Sequence, residues 1–568
     1  MRGLRTTSPS MVTTSSSKST TNGKDEAQTV RFTLFECERT PMTTQTERDR
    51  TTTTTIESDY VAYVGGSVWA MDWLERGNGG KDVDVDVDEN AETPSAGAGE
   101  LFLALEARTA AHHAHAMRDL GACGGAGTMQ IWKVDASGDT APRVHALLKH
   151  EGGCACDAKW AKGLTRDAEH EKYLESLDAV GILAVALGNG RVEMWAVPKT
   201  ANSSVAIDPK VLFAGSAPKR LGAPLCLDWN PVKRGKLAAG FSSGEVVVWN
   251  FEMSGELNAG AKTEVVPWAC VKTSADAGPC RAIAWPPCEY ASDHQTCASV
   301  IAYGSDYSSR PHLLDLRVPF APVGDSYDRG APWILDLAWL PRGSLVAGME
   351  TSDRSSAKSI EAAKKKAKTT GSSKTTSTTK SLVHQFDIVP NPGDDGAQPI
   401  SQYSVPGRGA PWGIDARASS DSQCAAAMVA CASSNGVVAI SPMRYVSKRL
   451  RSQARPEFKA CAGLLAYDAQ NAKAMETNPV EPPECFQCIE SGEQVQSGAD
   501  LFPELAAARP GSCETPTTAQ HRVKWSKERG RGWWLASVGE AGFLRLQKFN
   551  DEYIENQLST LERVHCAK

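Results

Sequence analysis

Cysteine and histidine are the first residues to test for chemistry. Cys485-x-x-Cys488 is half of a zinc pattern, since two thiolates at that spacing can share one tetrahedral ion. The second pair would have to be Cys461 and Cys513, which lie far outside the usual spacing. His112, His113 and His115 have no acidic partner at metal spacing and read more simply as a solvated loop. Residues 121–127 are glycine-rich but precede a strand pattern, so no helix N-terminus would back a phosphate there. No Gly-x-Ser-x-Gly elbow or kinase signature occurs. The sequence therefore points to no catalytic group, cofactor, metal or small-molecule substrate.

Tryptophan is the unusual residue. The 568-residue chain has 15, against 11 tyrosines and 13 phenylalanines. Three occupy one place in a repeated motif, Gly-x-x-x-x-x-Asp. The copies are Gly66-Ser-Val-Trp69-Ala-Met-Asp72, Gly222-Ala-Pro-Leu225-Cys-Leu-Asp228, Gly330-Ala-Pro-Trp333-Ile-Leu-Asp336 and Gly409-Ala-Pro-Trp412-Gly-Ile-Asp415. A looser copy runs from Gly153 through Cys154 and Cys156 to Asp157. Trp69, Trp333 and Trp412 follow a glycine turn at a rim, where tryptophan can anchor a partner; packing is the plainer alternative. Asp72, Asp157, Asp228, Asp336 and Asp415 would point together, as a ring for a cation or basic segment, or as acceptors for their own turns.

The elements that must position these residues are short strands. Each copy leads into a small-residue apolar strand and then a second of the form Gly-x-apolar-x-aromatic. Examples are 101–105 with Gly127–Trp132, 182–187 with Gly190–Trp195, and 237–241 with Gly244–Trp249. Counting pairs at 299–304/312–316, 345–348/382–386, 428–432/436–440 and 534–537/542–546 gives seven units. Outer fourth strands are expected at 144–148, 210–213 and 264–269. Period-2 alternation without a convincing helix predicts an all-β fold, a seven-bladed β-propeller with degenerate repeats. Trp132, Trp195 and Trp249 then read as packing between blades. Residues 31–35 are the candidate strand for completing the last blade.

Composition sets the remaining boundaries. The propeller is expected over 59–550, with polar insertions at 81–99, 352–380 and 471–520 too hydrophilic to join a core. A Ser/Thr-rich tail precedes it at 1–58, reading as disordered or, alternatively, as a transit peptide, and an extension follows at 551–568. No run approaches 18 apolar residues, so no membrane span is expected. The scattered 16 cysteines suit reduced thiols in the cytosol or nucleus. The net charge of −6 argues against a chain that coats nucleic acid. It conceals a segment of net +6 at 352–380, containing Lys364, Lys365 and Lys366. That cluster suits phosphate or acidic-protein contact or nuclear import, or is a solvated loop.

The blades resemble WD40 repeats. Trp132, Trp195 and Trp249 match the signature's tryptophan, while Lys133, Ala196 and Asn250 replace its aspartate, which puts the usual Asp–His network in doubt. The Gly-His pair survives only as Lys149-His150. More narrowly, Tyr63-Val-Gly-Gly-Ser-Val-Trp-Ala-Met-Asp-Trp73 resembles the opening of the WD40 subunit of general transcription factor IIIC. So do Arg281-Ala-Ile-Ala-Trp285, His312-Leu-Leu-Asp-Leu-Arg-Val-Pro-Phe320 and Ile334-Leu-Asp-Leu-Ala-Trp-Leu-Pro341. The likeness covers about residues 60–345. It implies a nuclear, non-enzymatic scaffold whose partners are other factor IIIC subunits, supporting B-box recognition and RNA polymerase III transcription, with DNA met mainly through the complex. The alternative is a generic WD40 adaptor in ubiquitin ligation or ribosome assembly.

Overall fold

Each expected unit folds as its own sheet, and in the computed structural model seven such sheets make a seven-bladed β-propeller. The structure describes residues 10–13, 28–31, 34–39, 56–75, 99–108, 125–161, 168–215, 217–233, 235–251, 263–272, 278–287, 299–305, 310–317, 333–350, 382–387, 398–404, 409–419, 426–444, 458, 460–467, 485–489, 518–528 and 530–566. The innermost strands, in blade order, are Val68–Trp73, Ala155–Trp160, Pro224–Trp229, Cys280–Ala284, Trp333–Leu340, Pro411–Ala418 and Gln520–Trp525. Each contacts the next, and the last contacts the first. The ring is closed.

Stacking explains the sequence of the second strands. Ala179–Leu187 is buried at every position because neighbouring blades cover both faces. Alanine and glycine predominate where sheets approach, and large side chains fill the gaps. Trp132 packs with Trp534 and Leu546 of blade 7, Trp195 with Ile131 and Leu148 of blade 1, and Trp249 with Phe213 and Val192 of blade 2. All three indoles are fully buried, each worth a few kcal/mol, of order 2–3. In blades 2, 3, 6 and 7 the second and third strands are joined by tight turns. At Gly244, φ is +91°, and its N–H donates to Phe241 O at 3.0 Å, a turn that a side chain would strain.

Several elements differ from expectation. The seventh blade is completed by Ile56–Tyr63, which pairs with Phe543–Phe549, not by residues 31–35. The polarity of Glu57, Ser58 and Asp59 hid this strand inside the presumed tail. Those polar groups are the reason it docks. Asp59 takes a two-pronged ion pair from Arg545, both buried, and Ser58 and Tyr60 hydroxyls donate to Gly138 O of blade 1. Of the candidate residues, Arg31 ends the strand Gln28–Arg31, beside Ser10–Thr13 on the outer edge of blade 6, while Leu34 bridges Tyr63 and Phe35 N donates to Tyr63 O at 2.9 Å, leading into Cys37–Arg39, which pairs outside the closing strand of blade 7.

Residues 264–269 do not form one strand, because Pro267 interrupts them. Thr263–Val265 runs parallel to the outer strand of blade 2, and Ala269–Lys272 is the fourth strand of blade 3. Ala206–Ile207 likewise extends blade 1, and Cys485–Ile489, within the expected 471–520 insertion, extends blade 6. These additions cover edges that would otherwise present unpaired backbone groups. Among the described residues, two α-helices also form where none was expected, Ala168–Ser176 and Asp551–Cys566. The second is amphipathic. Ile554 and Leu558, one turn apart, bury against Trp525, Trp533 and Met428, spanning blades 6 and 7. Among the described residues, no helix is long and apolar enough to cross a membrane.

Closure by a strand distant in sequence should depend on its buried ion pair. Arg545→Met strands the Asp59 carboxylate and should destabilise the protein by about 3–5 kcal/mol in chemical denaturation. Asp59→Leu combined with Arg545→Leu should recover most of that loss; a double variant no better than the single would show that the pair is not what couples the two strands.

Candidate functional site: the axial mouth

The innermost strands share an irregularity that builds a site. Each carries a β-bulge at the same level of its pairing with the second strand, leaving one residue without a cross-strand partner. In blade order these are Trp69, Cys156, Leu225, Arg281, Leu335, Trp412 and His521. A bulge re-aims a side chain and bends the strand. Repeated seven times around an axis, it gathers one residue per blade. Six of the seven line a single cavity, with Arg522 from blade 7 and Arg108 from the end of blade 1's second strand.

This mouth is aromatic and cationic. His521 stacks on Trp69 at 4.0 Å between ring centroids, and Trp412 meets Trp69 edge-on at 5.0 Å. The Arg108 guanidinium lies 5.1 Å from the Trp69 ring centre and that of Arg522 lies 6.0 Å from it; Arg522 Nε donates to Trp69 O at 2.6 Å. Trp69 Nε1 donates to Ser67 Oγ, and that hydroxyl donates to Glu540, which fixes the indole. Trp333 sits two residues before its own bulge, 5.6 Å from the Arg281 guanidinium. So Trp69 and Trp412 are equivalent, whereas Trp333 belongs to a different level: the aspartate spacing that aligned the three slips by two residues in blade 5.

The same slip divides the aspartates. Asp157 and Asp336 directly follow the bulge, while Asp72, Asp228 and Asp415 lie two residues further along. Each nonetheless reaches the neighbouring blade. Asp72 Oδ2 accepts from Trp160 N (3.0 Å), Asp157 from Leu227 N (2.8 Å) and Asp228 from Trp285 N (2.6 Å). Asp336 accepts from Ile414 N (2.9 Å) and Asp415 from Trp525 N (2.8 Å). The expectation that each would serve its own turn holds only as a second bond, from Ala158 N to Asp157 and from Leu337 N to Asp336. Lysines balance this layer. Lys159 Nζ lies 3.9 Å from Asp72, and Lys524 and Lys527 approach Asp415 at 3.8 and 3.1 Å. Burial pulls Lys159 down, but Asp157, Asp72, Asp228 and Asp336 outweigh it and raise its pKa. Lys524 is lowered, by burial first and then by Lys159.

A second tryptophan series escaped the sequence reading. Trp73, Trp160, Trp229, Trp285, Trp339 and Trp525 all stand four residues after their bulge residue. Four of these indoles donate backwards to the preceding blade: Trp73 to Lys524 O, Trp160 to Asp72 O, Trp229 to Lys159 O and Trp339 to Ala284 O. Counting from the bulge rather than from the aspartate would have found them. Blade 1 holds a buried carboxylate–imidazole pair, with Glu106 Oε2 2.9 Å from His150 Nε2.

Lys364, Lys365 and Lys366 lie outside the described residues, as do Cys513, His112, His113 and His115. Cys461, Cys485 and Cys488 lie on described strands, but their side chains are not among the described ones. Among the described residues, no three His, Cys, Asp or Glu side chains are grouped to hold a metal. Neither the family models nor the curated proteins compared with this chain match it.

His521 gives the mouth a pH signature. It is completely buried beside Trp69, Trp412, Ser67 and Glu540, with Arg522 and Arg108 nearby. Burial drives its pKa down to about 3; Glu540 opposes that, and the two arginines add to it. The unfolded chain takes up this proton below about pH 6.5 and the folded protein does not, so the contribution is present above pH 6.5 and lost as pH falls towards 3. Relative to wild type, His521→Asn should therefore gain about 2 kcal/mol between pH 7.5 and pH 5. A stability difference that stays constant over that range would mean that His521 protonates in the folded state.

Proposed function

We propose that the protein is a non-catalytic interaction scaffold, and more narrowly the WD40 subunit of general transcription factor IIIC, acting in the nucleus to support B-box recognition and RNA polymerase III transcription of tRNA-type genes. A β-propeller is suited to a scaffold role generally. The observation that carries the scaffold reading is the mouth, where all seven blades converge and four of them present tryptophan or arginine around a cavity of only about 40 Å³. Small-molecule pockets run to roughly 300–1,000 Å³. Tryptophan and arginine are instead the residues that dominate protein–protein hot spots.

The narrower assignment rests on the sequence likeness. Its motifs occupy connected parts of the propeller: Tyr63 to Trp73 leads from the closing strand into blade 1, Arg281 to Trp285 enters blade 4, and Ile334 to Pro341 spans the innermost strand of blade 5. Asp315 and Arg317, in the third motif, form a paired turn, with Arg317 Nη2 2.7 Å from Asp315 Oδ2. The protein partners are accordingly the other subunits of the factor, and DNA is met mainly through the complex. Affinity purification of the tagged full chain from its own cells should recover those subunits. Recovery of a different stable complex without them, such as a ubiquitin ligase or a ribosome-assembly particle, would replace this reading with that of a generic adaptor.

A further inference from the structure

The mouth has a one-sided chemistry. Its lining consists of Trp69, Trp412, Cys156, two leucines and three arginines, Arg108, Arg281 and Arg522. Among the described residues, no carboxylate lines it. The nearest acids in the same strands, Asp157 and Asp336, already accept backbone N–H bonds at both oxygens. Two buried donors there, Trp412 Nε1 and Arg108 Nε, have no acceptor. A buried donor without an acceptor is costly, so the mouth holds two donors that an anion would satisfy.

We propose that the axial mouth is a receptor for an acidic side chain, the aspartate or glutamate of a partner's peptide segment inserted along the axis. The inference rests on the scaffold reading and identifies the chemistry that the scaffold would recognise. Charge complementarity supplies the attraction, and guanidinium groups offer paired N–H donors matched to a carboxylate. The cavity is small, about 40 Å³, which suits a single inserted side-chain tip rather than a bulkier ligand. The indoles provide flat walls for the methylene stem that carries the carboxylate.

The probe is N-acetyl-glutamate methylamide, titrated into the full chain labelled with 15N-tryptophan, the Trp412 indole resonance being assigned by its loss in Trp412→Phe. A saturable shift of that resonance is expected, with the glutamine counterpart binding about tenfold more weakly and the response lost in Arg281→Gln but partly kept in Arg281→Lys. An unchanged thermal midpoint in Arg281→Gln would show that the fold is intact. Arg108→Gln provides a second variant, with the same loss expected. No shift with the glutamate probe, or equal binding of the glutamine compound, would overturn the proposal. Tighter binding of the phosphoserine counterpart would also overturn it, in favour of a phosphorylated segment.

The scaffold reading is separated by repeating the affinity purification with Arg281→Gln. Partners recovered by wild type should fall several-fold; undiminished recovery would remove the mouth from partner binding while leaving the scaffold standing. If wild type recovers no partner, the scaffold reading fails, and the indole titration still decides the chemistry of the mouth.

Discussion

The innermost strand of every blade is a sheet edge, and its outward N–H groups have no strand to pair with. Five aspartates meet that need across the gap between blades, each giving its carboxylate to an amide of the next innermost strand. A hydrogen bond to a charged acceptor contributes about 1.5–3 kcal/mol, and loss of the acceptor leaves a buried donor orphaned. Indole N–H groups return the contact in the opposite direction, from Trp160 to Asp72 O and from Trp229 to Lys159 O. Neighbouring sheets are thus held in register by bonds in both directions, in addition to the apolar packing between their faces.

That register gives the bulges their effect. A bulge in one strand only redirects one side chain. Seven at a common level converge on the axis, provided that no blade slides against the next. Closure by Ile56–Tyr63 and the Asp59–Arg545 pair prevents the ring from opening, and the C-terminal helix Asp551–Cys566 braces blades 6 and 7. The mouth therefore depends on the whole molecule. Its lysine–aspartate layer lies along the same strands, with acids already committed to amides and lysines, while the arginines at the mouth line a cavity with no acid among its described lining residues.

Much of the fold was legible because apolar alternation and glycine turns are local signals, and all seven strand pairs fall in separate sheets. Closure was not legible. Ile56–Tyr63 carries Glu57, Ser58 and Asp59, which read as tail residues until their partners at Arg545 and Gly138 are known. The helix at 551–566 was missed because its apolar face is thin, Ile554 and Leu558 fully buried and Tyr553 and Leu561 only partly so, among many polar residues. At the site, aspartate was an unreliable ruler. Asp157 and Asp336 lie two residues nearer the bulge than their counterparts, so aligning on them placed Trp333 with Trp69 and Trp412 and obscured Leu335. The tryptophans four residues past the bulge keep a constant register, because each must fill a fixed space between blades.

The central claim is that these carboxylates hold the blades in register. The most direct measurement is amide hydrogen exchange at Trp285 in Asp228→Ala, with Leu227, held by Asp157, as the internal control. The Trp285 amide should exchange about tenfold to a hundredfold faster than in wild type while Leu227 is unchanged. Protection at Trp285 equal to wild type would contradict the account, showing that packing alone keeps the blades in register.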